Sequence, residues 1–138
     1  MKPFIPREWM RMRKQPYPTA ILDHVDQFGT AVFTDGKCVY VPYSPGEVCW
    51  VRERWRRASE KEPDGIYYPD DNLLIWFTKD ETAPAREAIK KYTRDGRVRS
   101  AVAMPEILSR RHVRILSCVP EQRGEWGWRI EWEESNAL

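Results

Sequence analysis

The chain has 138 residues, 41% of them hydrophobic and 12% aromatic, enough for one domain with a single core and too apolar for global disorder. Its formal charge is only +2, from 23 basic and 21 acidic residues, so any basic surface must come from how charges are distributed. No stretch approaches the roughly 20 apolar residues that span a bilayer, so no membrane association is expected. Met1 to Lys14 is basic and lacks the apolar run of a secretory leader. Cys38, Cys49 and Cys118 form no close pair, which fits free thiols in a reducing cytoplasm.

In chain order, residues 1–19 hold Pro3, Pro6, Pro16 and Pro18. They read as a proline-rich basic arm on a domain spanning 1–138, with at most a turn or two around Arg7–Arg13. Ala20-Ile21-Leu22 opens the first expected strand. Ala31–Thr34, Asp35-Gly36 and Lys37–Val41 predict a hairpin with a two-residue type I′ turn, because Asp-Gly favours positive φ. Ile66–Tyr68 and Leu73–Phe77 predict a second hairpin across Pro69-Asp70-Asp71-Asn72.

Thr82 to about Tyr92 predicts the main helix, capped by Thr82 and stopped by Asp95-Gly96. Ala85, Ile89 and Tyr92 keep helical spacing, and basic residues load its C-terminal end. Met104–Ser109 predicts one further helical turn after Pro105. His112–Cys118 alternates Val113, Ile115 and Ser117 against Arg114, Leu116 and Cys118, as a strand does. Gly124–Trp132 predicts a last strand with Trp126, Trp128, Ile130 and Trp132 on one face, the floor of the core.

The chain is organised around Pro42–Trp55, a proline-glycine turn running into a strand. Val48, Trp50, Arg52 and Arg54 point one way; Cys49, Val51, Glu53 and Trp55 point the other. Arginine beside tryptophan suits stacking on bases and contact with phosphate. The alternative is that the tryptophans are core and the arginines solvated. With Arg110, Arg111 and Arg114 near the next strand, the expected nucleic-acid contacts are Trp50, Arg52, Arg54, Arg110, Arg111 and Arg114. Short strands with one main helix predict an α+β fold, a small β-barrel or sandwich with that helix and short helical turns at its rim.

No glycine-rich phosphate loop is present, and the two histidines and three cysteines lack metal-ligand spacing. Neither a metal nor another cofactor is expected, and no catalytic set can be named.

Three segments together carry a resemblance. Pro42-Tyr43-Ser44-Pro45-Gly46-Glu47 with Trp50-Val51-Arg52-Glu53, then Arg99-Ser100, Met104-Pro105 and Ser109-Arg110, then Trp126-Gly127-Trp128-Arg129-Ile130-Glu131 resemble the core motifs of small ASCH-like proteins. These are relatives of the PUA domain, carried widely by phages and prophages. The resemblance covers roughly residues 40–132. It implies a small mixed β-barrel of the PUA-like kind, in which Gly46, Glu53, Trp55, Met104, Pro105, Ser109, Trp126 and Trp128 are structural, with Arg110 set against Glu53. It also implies a cleft for RNA or a nucleotide.

The family's G-x-K-x-x-x-x-R segment is not matched. Arg11-Met12-Arg13-Lys14-Gln15 and Asp35-Gly36-Lys37 fail its spacing, so the resemblance favours binding over catalysis. The expected partner is RNA or single-stranded nucleic acid. The alternatives are a phage or host protein, and a hydrolase acting on a nucleoside or RNA, in the cytoplasm of the host cell.

Overall fold

The structure, a computed structural model, describes residues 1–58, 65–77, 83–92 and 98–135. Its strands are β1 (Lys2–Phe4), β2 (Trp9–Arg11), β3 (Leu22–Val25), β4 (Ala31–Phe33), β5 (Cys38–Val39), β6 (Val48–Val51), β7 (Arg56–Arg57), β8 (Gly65–Tyr68), β9 (Leu73–Trp76), β10 (His112–Arg123) and β11 (Glu125–Glu134). Helix α1 covers Ala83–Tyr92. Short 3-10 turns occupy Ala101–Ala103 and Glu106–Leu108, the second directly after Pro105 as the sequence predicts. The described strands form three open sheets, and the closed barrel is not formed. The chain is thus a small α+β protein, mostly β, with one helix among the described residues.

The contacts gather the chain into two compact units, both discontinuous in sequence: Met1–Pro6 with Trp50–Arg111, and Arg7–Cys49 with His112–Leu138. In the first unit, a buried cluster joins Trp50, Trp55, Ile66, Tyr68, Ala85, Ala88, Ile89, Met104 and Leu108. Ala85, Ala88 and Ile89 are one stripe of α1, at the i, i+3, i+4 spacing that puts side chains on one helix face. Leu73, Ile75 and Phe77 pack against the same cluster, while Leu74 and Trp76 alternate outward. The expected cap Thr82 and stop Asp95-Gly96 lie outside the described residues.

The proline-rich opening is not an arm. β1 lies beside the end of β6, where the Arg52 amide donates to the Phe4 carbonyl at 2.8 Å. Pro3 is tolerated because a strand at an edge leaves one row of amides unused. Phe4 is buried. The prolines hid this strand, since its stability comes from a partner some fifty residues away rather than from local propensity.

In the second unit, β10 and β11 form a long hairpin turned at Gly124, and β2 pairs with β11 on its other side. The start of β6 lies along β10, with the Gly46 amide donating to the Ile115 carbonyl and the Ile115 amide to the Glu47 carbonyl. Val119–Arg123, expected as a connection, is therefore part of β10. The β10 register shifts between Ile115 and Ser117, so Leu116 is an extra, outward-facing residue. Past the bulge the buried positions change parity, from Val113 and Ile115 to Cys118. The sequence pattern had put Cys118 on the opposite face.

Trp128 and Ile130 are buried as expected, whereas Trp126 and Trp132 are only half-buried. The Trp126 ring meets Phe33 edge-on, with centroids 5.1 Å apart. Between Trp126 and Trp128, Gly127 leaves room for the Trp9 ring of β2. A Cβ there would fall 2.2 Å from a Trp9 ring carbon. Gly127→Ala should cost about 1–3 kcal/mol as an overpacking substitution, read as a shift in a urea unfolding midpoint. Gly127→Ala at wild-type stability would show that β2 can move aside.

β3, β4 and β5 form the remaining sheet of this unit. The Asp-Gly turn differs from the expected type. Ala31 pairs with Val39, the Gly36 amide donates to the Phe33 carbonyl, and Gly36 alone takes a positive φ, +86°. This is a three-residue loop ending in a left-handed glycine, not a type I′ pair.

Candidate arginine–carboxylate site

The first unit brings together two of the sequence segments singled out. Beyond β6 the chain carries Arg52, Glu53, Arg54 and Trp55, and Met104–Arg111 returns beside them. The Glu53 amide donates to the Met104 sulfur at 3.4 Å, the Ser109 hydroxyl to the Val51 carbonyl at 2.8 Å, and the Val51 amide to the Arg111 carbonyl at 2.9 Å. Trp55 and Arg99 form a two-bond backbone bridge. Met104, Ser109 and the chain after Pro105 are thus a structural junction that fixes where Arg110 and Arg111 begin.

Glu53 is the centre of this junction, and only 7% of it is exposed. Arg110 donates to its Oε1 at 2.5 Å, which is the pairing that the sequence predicts, and Arg111 Nη1 stands 3.9 Å from the same oxygen. Arg110 also donates to Asp71 and lies over the Tyr68 ring, 4.6 Å from its centroid. Glu53 Oε2, Arg110 Nε, Arg52 Nε, Arg99 Nε and Trp55 Nε1 are buried and have no hydrogen-bond partner among the described residues.

Burial raises the Glu53 carboxyl above its ordinary 4.5, and outweighs the opposing pull of Arg110 and Arg111. The Arg110 guanidinium is nonetheless held charged. Burial works against it, but bonds to Asp71 and Glu53 overcome that cost. The two directions are compatible because Arg110 has two acids and Glu53 carries the desolvation. A carboxyl raised on folding holds its proton more tightly in the folded state. Its contribution to stability is therefore complete below pH 4.5 and is lost as pH rises through the folded value. Wild-type stability relative to Glu53→Gln should fall across that window in thermal unfolding at a series of pH values. A difference that rises with pH would mean the arginines win over burial.

The expected nucleic-acid contacts divide. Trp50 is 5% exposed, and Arg52 covers its ring at 5.0 Å, so it is a core residue and no stacking surface for a base. Arg54 is exposed but pairs with Asp70, raising the guanidinium and lowering the carboxyl. Arg110 and Arg111 face Glu53. Arg114 lies in the second unit and pairs across the hairpin with Glu133 at 3.5 Å. Exposed pairs such as Arg54–Asp70 and Arg114–Glu133 are worth about 0–1 kcal/mol, so a phosphate can displace the carboxylate. Arg110, buried against Glu53, is not exchangeable in that way.

Among the structural residues of the motif, Trp55 is fully buried and Trp128 nearly so. Gly46 takes a φ of +87° where the turn enters β6.

Sequence reasoning missed Tyr68, Asp70, Asp71 and Arg99 as parts of this site. Asp70 and Asp71 were read for their turn chemistry alone, and that reading was sound: the hairpin turns where expected, with Asn72 at φ +49°. The further signal was two adjacent acids in a turn, which can meet arginines elsewhere in the chain as well as shape the turn. Burial pushes the Cys118 thiol up to about 11, the opposite of what an activated thiolate requires. Among the described residues, no three His, Cys, Asp or Glu side chains gather as metal ligands, and no helix is long and apolar enough to cross a membrane. Compared with known proteins, the chain matches no protein-family profile, no curated protein and no solved structure.

Proposed function

We propose that the chain is an ASCH-like, PUA-related accessory protein of phage or prophage origin that binds RNA in the cytoplasm through the arginines around Glu53. One observation carries this reading. The buried Oε2 of Glu53 and the Nε groups of Arg52, Arg99 and Arg110, all in one unit, are left without partners among the described residues. Each such group costs about 1–3 kcal/mol when buried unsatisfied. A nucleotide offers both what the arginines lack, acceptor oxygens and ring nitrogens, and what Glu53 lacks, an amino donor. Arg54 adds an exposed guanidinium whose present partner is weakly held.

Single-stranded RNA should be retained in a filter-binding titration at about 50 mM salt and lost steeply by about 200 mM, since each phosphate contact releases counterions. Arg52→Ala and Arg54→Ala should each lower the salt slope by about one unit. Absence of retention at low salt would sink the reading.

A protein partner is the second reading. It would use exposed apolar side chains of the second unit such as Tyr17, Ile21, Phe28 and Tyr40.

A further inference from the structure

The sheet of β7, β8 and β9 has one face in the core and one outside. Arg56 pairs with Tyr67, Tyr67 with Leu74, and Gly65 with Trp76. Paired residues share a face, and so do residues two apart along a strand. Arg56, Tyr67, Leu74 and Trp76 therefore stand together on the face opposite Ile66 and Tyr68, which are buried.

Two features make this face flat and aromatic. The Trp76 ring lies down on Gly65, where a Cβ would meet ring carbons at 2.7 and 3.0 Å, yet 47% of Trp76 is exposed. The ring is thus packed against the glycine while nearly half of the residue stays exposed. Beside it, the Arg56 guanidinium lies over the Tyr67 ring, 4.4 Å from the centroid, and the Tyr67 hydroxyl donates to Asn72. Arg56 makes no ion pair with an acidic side chain among the described residues. Leu74, 44% exposed, continues the apolar surface next to Trp76.

We infer that this outer face is a stacking platform for unpaired bases of a single-stranded nucleic acid. Trp76 receives one base, the Arg56–Tyr67 pair supports the next, and Arg56 also meets the backbone phosphate. The inference rests on the RNA reading above but names a different surface from the Glu53 site. Two arguments choose the occupant. A half-exposed indole beside a planar guanidinium matches the stacking chemistry of single strands. The positive charge of Arg56, with no acidic partner among the described residues, complements a phosphate and disfavours a purely apolar partner.

The test is fluorescence anisotropy of a labelled 12-nucleotide oligouridine with the full chain at low salt. Trp76→Ala should weaken binding about 5- to 150-fold, the range for losing one stacked base, and should leave the salt slope unchanged. Trp76→Phe should keep most of the affinity, because a ring remains. Arg56→Ala should weaken binding and lower the salt slope by about one unit. A duplex of the same length should bind more weakly than the single strand.

Wild-type affinity in both Trp76→Ala and Arg56→Ala, with Arg54→Ala still reducing binding, would overturn the platform and leave the Glu53 site standing. No binding by the wild-type chain would overturn both. A dimer in sedimentation that Trp76→Ala dissociates, without any oligouridine bound, would make the face a protein interface and also overturn the assignment.

Discussion

Trp55→Ala is expected to remove about 3–5 kcal/mol of stability, out of the roughly 5–15 kcal/mol typical of a native protein. The indole is fully buried and belongs to the cluster that unites α1, β8 and the Met104–Leu108 segment. The cluster draws on all of those elements, so the cavity cannot close by moving one of them alone. Trp55→Phe should be much milder, because the lost indole N–H has no partner among the described residues and its removal recovers part of a desolvation cost. Trp76→Ala, on the outer face of β9, loses only a cross-strand contact with Gly65 and should cost about 1 kcal/mol or less. Guanidinium unfolding of the three variants ranks them. A Trp55→Ala protein as stable as Trp76→Ala would mean the cluster does not hold this unit together.

Arg110→Ala should cost about 3–5 kcal/mol near neutral pH, because it leaves the Glu53 carboxylate buried with only Arg111 at 3.9 Å. The cost arises from stranding a charge, so neutralising that charge should relieve it. The Arg110→Ala/Glu53→Gln double variant should recover most of the loss, and the loss itself should shrink as pH is lowered and Glu53 takes up its proton. Raised already by burial, that carboxyl protonates above its ordinary range. Equal costs in single and double variants would place the effect in Arg110 packing on Tyr68 instead of in its charge.

What could be read from the sequence was local, or came with a motif. The β8–β9 hairpin followed from Pro69–Asn72, α1 from apolar spacing, and the Glu53–Arg110 pair from two motif segments that meet. What could not be read depended on distant partners. β1 and β2 exist because Phe4 meets Arg52 and Met10 meets Trp128, pairings for which neither strand carries a local signal. Whether a sheet closes into a barrel depends on tilt and stagger summed over every strand, which no single stretch encodes. Charge was the other blind point. Arg54 looked free, and Arg110 looked bound to Glu53 alone, because the further acids that meet them, Asp70 and Asp71, lie in a turn with reasons of its own to contain aspartate.

The extra residue at Leu116 gives β10 an uneven tolerance for changes in length. Taking out Leu116 alone would join Ile115 directly to Ser117 and restore strict alternation, with Val113, Ile115 and Cys118 still facing inward. Taking out Ser117 would do the same for the backbone but put a leucine in the outward slot. Removing any residue between Cys118 and Arg123 instead shifts the strand against β11 and turns inward residues outward. A one-residue deletion should thus be tolerated at the bulge and disruptive a few positions later, which makes the bulge the one place in β10 where the chain can shorten without changing which side chains face inward.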